Sequence, residues 1–155
     1  MKYISVTKEN NHNFDDIVNN NSAIIKFYSN HCDHCIAMKD DWNSLINDKH
    51  LNNYIGYIIA VESSALDNIK SDVKDNLLGF PTIIYKSKDG NVKKEYNGNR
   101  SKEDMMNFVK KYLKKKSSTT RKKKSSTTRK KKSSKKKTKT KSKSKKLSGF
   151  KIRSQ

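Results

Sequence analysis

The sequence predicts an α/β domain, a central mixed sheet of about five strands flanked by about four helices, with a disordered basic arm behind it. Three observations predict it. Short runs rich in β-branched and aromatic residues alternate with stretches of helical apolar spacing. The early strands are separated by helical stretches, and such crossovers favour parallel pairing, whereas the last two strands are joined by a tight turn and pair antiparallel. The charge is also divided along the chain. The formal net charge is +21, yet residues 1–113 hold all 15 acidic residues and an equal number of basic ones, so the whole excess lies beyond residue 113.

Taken in order, Lys2–Val6 reads as a short strand, and residues 13–20 set Phe14, Ile17 and Val18 at helical spacing. Residues 23–29 are a short apolar run of β-formers, the pattern of a strand buried on both faces. From Cys32 the period changes. Cys35, Met38, Trp42, Leu45 and Ile46 fall on one face and Lys39, Asp40, Asp41 and Asn43 on the other, which predicts a helix to about Lys49. Residues 54–61 form a second central strand, and residues 63–76 a helix with Ser63 or Ser64 as N-cap and Leu66, Ile69 and Val73 inward. Pro81, the only proline, opens the strand Thr82–Lys86, and Asp89 with Gly90 turns the chain into a strand over 92–96. Ser101 caps the last helix, with Glu103 and Asp104 in its first turn and Met105, Phe108, Val109 and Tyr112 facing the core.

Cys32 and Cys35 are the only cysteines, and their C-x-x-C spacing falls where a strand passes into a helix. With Cys32 at the helix start and Cys35 one turn in, the two sulfurs reach bonding distance. The first sulfur then faces unpaired backbone N–H groups and the positive end of the helix, both of which stabilise thiolate. Lowering a thiol pKa from ~8.5 to ~7 raises the attacking species roughly tenfold at neutral pH. "HCDHC" also packs two histidines with the cysteines, but a structural zinc draws two ligand pairs from separated loops. No second cysteine pair exists, and His12 and His50 stand alone, so the dithiol reading is preferred. There is no Gly-rich phosphate loop and no Ser-His-Asp pattern, which leaves nucleotide-binding and hydrolase readings without support. Core packing is the expected role of Met38, Trp42, Phe108 and Tyr112.

"IIKFYSNHCDHC", "GFPT" and "YNGNR" with the amphipathic helix after it resemble the thioredoxin domain, most of all the catalytic domains of protein disulfide isomerases. The resemblance covers roughly residues 1–113. It implies a thioredoxin fold and a thiol–disulfide oxidoreductase acting on protein thiols or disulfides, with no cofactor beyond the dithiol. It further implies that Cys32 is the nucleophile, Cys35 the resolving thiol, and the Phe80–Pro81 bond cis, with Pro81 beside the dithiol and the preceding backbone free to pair with an extended substrate. Three positions depart from the family. His31 stands where tryptophan is usual. Asp33 and His34 replace Gly-Pro or Gly-His; a protonated His34 would hold thiolate and Asp33 would oppose it. Lys26 occupies the strand position of a buried family carboxylate that exchanges a proton with the resolving thiol. A neutral Lys26 amine would do similar work, and a charged one would hold thiolate.

In residues 114–146, nineteen positions are Lys or Arg and the other fourteen Ser or Thr, with "KKKSSTTR" at 114–121 repeated at 122–129. Such a segment has nothing to bury and is expected to be disordered, which sets the domain at 1–113 and the arm at 114–155. Its charge suits nucleic acid or another polyanion, while solubility, nuclear import and anionic lipid are the competing uses. Its hydroxyls are potential phosphorylation sites. A nucleic-acid-associated structural protein using the fold as scaffold is the alternative function. "MKYISVTKENN" lacks the apolar stretch of about 7–15 residues that a secretory signal needs, and no run is long enough to span a membrane. A cytoplasmic or nuclear, non-secreted protein is therefore expected, and in that reducing setting a lone cysteine pair serves exchange chemistry rather than a staple. The Asn-, Lys- and Ile-rich usage with the repeat arm is similar to thioredoxin-domain proteins of large DNA viruses or protists, where such an arm would carry the protein into the virion.

Overall fold

The computed structural model describes residues 1–11 and 13–117. The expectations for His12 and for the basic repeats over 118–155 lie outside the described residues. Five strands form one sheet: β1 (Lys2–Val6), β2 (Ala23–Tyr28), β3 (Tyr57–Glu62), β4 (Thr82–Lys86) and β5 (Lys93–Glu95). Their spatial order is β1-β3-β2-β4-β5. The pairs β1·β3 and β2·β3 are parallel, whereas β2·β4 and β4·β5 are antiparallel. The helices are α1 (Phe14–Asn20), α2 (Asp33–Ala37), α3 (Lys39–Ile46) and α4 (Lys102–Tyr112). Among the described residues no helix is long and apolar enough to cross a membrane.

The apolar run of β2 supplies both faces of the sheet, as its side chains alternate. Ala23, Ile25 and Phe27 pack with Val18, Ile59, Val61 and Val73. Ile24 packs on the other side with Trp42, Leu45, Ile58, Met105 and Val109. Two lysines are nevertheless buried, Lys26 and Lys86, each 6% exposed. Lys86 has a plain structural use, since its amine donates to the Val18 carbonyl at 3.0 Å near the end of α1. That carbonyl belongs to the last turn of a helix, where intrahelical donors have run out.

The structure departs from the periodicity in three places. The helix expected over 32–49 is broken at Met38 (φ −88°, ψ 1°), which separates α2 from α3. No glycine or proline marks the break, and the buried spacing runs through it. The helix expected over 63–76 is instead two short 3-10 turns, Ser63–Asn68 and Asp72–Lys74, with Ile69 extended between them. Its N-cap is Glu62, whose side chain accepts from the Ser64 N–H, rather than either serine. The Asp15 carboxylate takes the N–H groups of Lys70 (3.1 Å) and Ser71 (2.7 Å), donors that a continuous helix needs for its own carbonyls. Finally, the second central strand starts at Tyr57. The residues before it are engaged elsewhere: the Ile55 N–H donates to the Lys114 carbonyl (2.8 Å), Tyr54 bridges Lys115, and the Lys116 N–H donates to the Asn53 carbonyl (2.7 Å). Lys114, Lys115 and Lys116, counted by composition with the basic arm, are thus hydrogen-bonded to the folded domain.

The Asp15 clamp gives a stability test. Asp15→Ala leaves two N–H groups without their acceptor and is expected to cost ~1–3 kcal/mol in chemical denaturation, with Asp15→Asn losing less. An unchanged midpoint would show that water replaces the carboxylate at no cost.

Candidate active site

The strand β2 ends at Tyr28, and the turn that follows delivers Cys32 to the N-cap of α2 with extended backbone (φ −102°, ψ 116°). In that conformation its sulfur faces the first turn and accepts the Cys35 N–H at 3.3 Å. The N–H groups of Cys35 and Ile36 also reach the Cys32 carbonyl, at 2.9 and 3.0 Å. Cys32 is half-buried and Cys35 is 7% exposed, and both are free thiols. From the other side, the Phe80 carbonyl lies 3.3 Å from the Cys32 sulfur, as acceptor of the thiol proton. The Phe80–Pro81 peptide is cis, and Pro81 is buried. A strand end, a helix start and the Phe80 segment therefore meet at one sulfur.

Behind it lies Lys26, in mid-sheet opposite Ala60 on β3 and Ile83 on β4. Among the described residues no carboxylate lies within ion-pair reach of its amine. Two aromatic faces take that place, with Nζ 4.4 Å from the Trp42 ring centroid and 4.8 Å from that of Tyr28. Burial pushes the amine down to about 8, against an opposing pull from Cys35, and Lys39 lowers it further. The Cys35 thiol is pushed up to about 11, by burial first and then by its hydrogen bond with Cys32, while Lys26 draws it back. An open cleft of about 540 Å3 lined by Tyr3, Lys26, Tyr28, Cys35, Lys39 and Trp42 leads solvent to both groups.

His34 is placed differently. It is exposed and lines a second cleft, of about 240 Å3, with Met38, Asp41, Asn99 and Arg100. The segment "YNGNR" holds that wall. The Tyr96 hydroxyl donates to Asp104 (2.8 Å) and accepts the Arg100 N–H (3.0 Å), while the Asn99 N–H also donates to Asp104 (3.0 Å). A Cβ on Gly98 would collide with the Asp104 carboxylate and lie 2.5 Å from the Tyr96 hydroxyl, so only glycine fits there. Burial and the neighbouring Asp104 push the Tyr96 phenol up to about 12. Arg100 itself sits in the left-handed region at φ 64°.

Residues 5–111 match the family model described as thioredoxin. The chain belongs to the thioredoxin family. Among curated relatives of this thioredoxin-family chain, the thioredoxin domain-containing protein 5 homolog of Drosophila melanogaster is 31% identical over 101 residues, 64% of this chain and 24% of that protein. A protein disulfide-isomerase of Aspergillus oryzae is 34% identical over 110 residues, 68% of this chain and 20% of its own length. The chain thus spans about a fifth to a quarter of the curated relatives it matches. Among solved structures, the first two thioredoxin domains of Naumovozyma dairenensis Eps1p superpose with TM-score 0.55 at 23% identity, covering 69% of this chain and 39% of that one. Reduced Schistosoma mansoni thioredoxin gives 0.51 at 17%, covering 72% and 99%. These two likenesses concern the fold. The two curated relatives belong to an insect and a fungus, and the viral resemblance has composition alone behind it.

Of the residues singled out from sequence, Cys32, Cys35, Pro81 and Lys26 converge, and His34 flanks them on the second cleft. Sequence reasoning did not find the Phe80 carbonyl, the ring clamp of Tyr28 and Trp42 on Lys26, or the wall built by Tyr96, Gly98 and Asp104. Tyr28 was findable, since it stands two residues from Lys26 on the same strand face. Trp42 is core by its spacing and at 2% exposure, but its ring also covers the amine.

The asymmetry of the thiols has a direct consequence. At pH 8 iodoacetamide should add one group to the reduced protein, at Cys32, with a second at Cys35 only as the pH nears 11; mass spectrometry counts the additions. Equal labelling at pH 8 would contradict the burial of Cys35.

Proposed function

We propose that the chain is a thiol–disulfide oxidoreductase acting on proteins. The Cys32 thiolate attacks a substrate disulfide, forming a Cys32–substrate disulfide and releasing one substrate thiolate. The Cys35 thiol gives its proton to the neutral Lys26 amine. The Cys35 thiolate then attacks Cys32, expelling the second substrate thiolate and closing the Cys32–Cys35 disulfide. Two electrons pass to the substrate, and the steps reverse for substrate oxidation. The reading is carried above all by the half-buried Cys32 sulfur with the Cys35 N–H aimed at it from 3.3 Å. Ile36 on α2 is 57% exposed, and Leu78, two residues before the Phe80 carbonyl that meets that sulfur, is fully exposed; both supply apolar surface for a protein substrate. Where its surroundings are reducing, the pair is held as a dithiol and acts as a reductant. The run 114–146 tethers the enzyme to a polyanion through phosphate contacts.

Lys26 fits the proton role because its amine is neutral in an accessible pH range and opens to the same cleft as Cys35. The ring faces favour the cation, so the proton is held once taken.

Insulin reduction tests the reaction: the native chain should turn over, Cys32→Ser should abolish turnover, and Cys35→Ser should accumulate the mixed disulfide. Native inactivity, or turnover that survives Cys32→Ser, would refute the enzyme and favour a scaffold. Lys26→Met should slow resolution about tenfold near neutral pH and remove an inflection near pH 8, while the first attack keeps its rate. The folded amine lies below the ordinary 10.5, so the unfolded chain binds that proton more tightly between about pH 8 and 10.5, and stability rises with pH across that window. Lys26→Met should therefore be more stable than the native chain at pH 7, by ~1–3 kcal/mol, with the advantage shrinking above pH 8.

A further inference from the structure

The parallel strands β1, β2 and β3 begin together, with Lys2 and Ala23 both in register with Tyr57. The dithiol follows the opposite end of β2. At the starting pole one network ties five segments together. The Lys2 N–H donates to the Gly56 carbonyl (3.2 Å) and the Tyr57 N–H to the Ser22 carbonyl (3.0 Å). The Lys88 N–H donates to the Ser22 hydroxyl at 3.1 Å, and Lys114 and Lys116 join through their hydrogen bonds to Ile55 and Asn53. The side chains of Lys2, Lys88, Lys114, Lys115 and Lys116 are all exposed. The amino terminus adds a further cation, and burial together with the nearby Lys116 charge holds that amine below its ordinary value.

Little in this network offsets the charge: the acid beside it is Asp89, next to Lys88, which is engaged by the Ser87 hydroxyl and the Asn91 amide. Residues 1–5, 20–24, 53–57, 86–88 and 113–117 contain no Asp or Glu. At the other ends of β2 and β3 stand the acids Asp33, Glu62 and Asp67. A domain whose charges sum to zero up to residue 113 thus has a basic end, continuous in sequence with sixteen further bases over 118–146.

We infer that this pole is a phosphate-binding platform for duplex nucleic acid, which holds the duplex at the end of the sheet opposite the dithiol. The inference rests on the proposed polyanion tether and extends it into the folded domain. Five backbone-anchored lysines lose less freedom on meeting phosphate than lysines on an unstructured chain, so each contact is less costly to form. Duplex nucleic acid presents one charge per ~1.7 Å, dense enough to meet several of them at once. Lipid fits less well, because lasting membrane attachment needs apolar insertion beside basic charge. On the network Ile55 is 58% exposed, but residues 114–146 contain no apolar side chain. Strands of five or six residues separate the two poles by roughly 20 Å, more than two screening lengths of ~8 Å at physiological salt. The field of the bound duplex is therefore largely screened at Cys32, and the thiol works while tethered.

The test uses the full chain, isotopically labelled, with a 16-base-pair DNA duplex near 0.15 M salt. Amide signals of Lys2, Ile55, Gly56, Lys88 and Lys115 should shift and those of Cys32 and Cys35 should not, with iodoacetamide reacting at Cys32 at the same rate within twofold. The double variant Lys2→Gln, Lys88→Gln should bind with a log–log salt slope shallower by about 2, at ~0.9 per lost phosphate contact. Shifts confined to residues 118–146, with the slope unchanged, overturn the platform and leave the tether standing. Absence of any binding overturns both. Shifts centred on the dithiol segment overturn the orientation, and a response of the same amides to phosphatidylserine vesicles but not to the duplex overturns the partner.

Discussion

The contact from the Cys35 N–H to the Cys32 sulfur is the constraint on which the site depends. It exists because β2 ends where α2 begins, and because Cys32 caps that helix with extended backbone. A capping side chain accepts a donor that the helix cannot use internally. Here the capping atom is a sulfur, so the group that closes the helix is also the proposed nucleophile. The Phe80 carbonyl approaches the same atom from the opposite side at 3.3 Å. The fold thus presents one partly exposed sulfur between a donor and an acceptor and keeps the second sulfur under cover. That difference in exposure, with chemically identical side chains, is what supports the proposed roles of attacking and resolving thiol.

The two buried lysines show how context divides one residue type. Both are 6% exposed, but Lys86 spends its proton on the Val18 carbonyl, and Lys26 has two ring faces instead. An unpaired buried ammonium costs several kcal/mol, and a desolvated cation–π contact returns about 2. The rings therefore offset only part of the cost, and the remainder appears as an amine lowered to about 8. In the proposed reaction the strand position next to Cys35 carries a base that becomes positive on accepting a proton, where a carboxylate would become neutral. The proton exchange proposed for it would end with an ammonium beside a thiolate, an attractive pair, rather than a neutral acid beside it.

Charge is organised on a larger scale by the parallel strands. The starts of β1, β2 and β3 lie at one end, with Lys2 in the first of them and the bonded segment 114–116 beside them, and the antiparallel β4 brings its own end, with Lys88 just beyond it, to the same place. Parallel and antiparallel pairing together gather at one pole cations that lie far apart in sequence. The separation is a property of topology and does not appear in the net charge.

The sequence by itself determined the elements whose signal is local: five strands, the CxxC at a strand-to-helix junction, the Ser101 cap, the Asp89 and Gly90 turn, and the convergence of Cys32, Cys35 and Pro81 through the family motifs. It did not determine the break at Met38, because apolar spacing continues through it, nor the loss of a helix over 63–76, because the acceptor that diverts the Lys70 and Ser71 donors is Asp15, more than fifty residues away. It placed Lys26 on the right strand but not between Tyr28 and Trp42, and it read Gly98 within a motif without showing the Asp104 and Tyr96 atoms that exclude a Cβ. Periodicity and capping are written in neighbouring residues. Which distant group meets a given N–H, amine or sulfur depends on how the strands are ordered in space, and only the tertiary structure decided that.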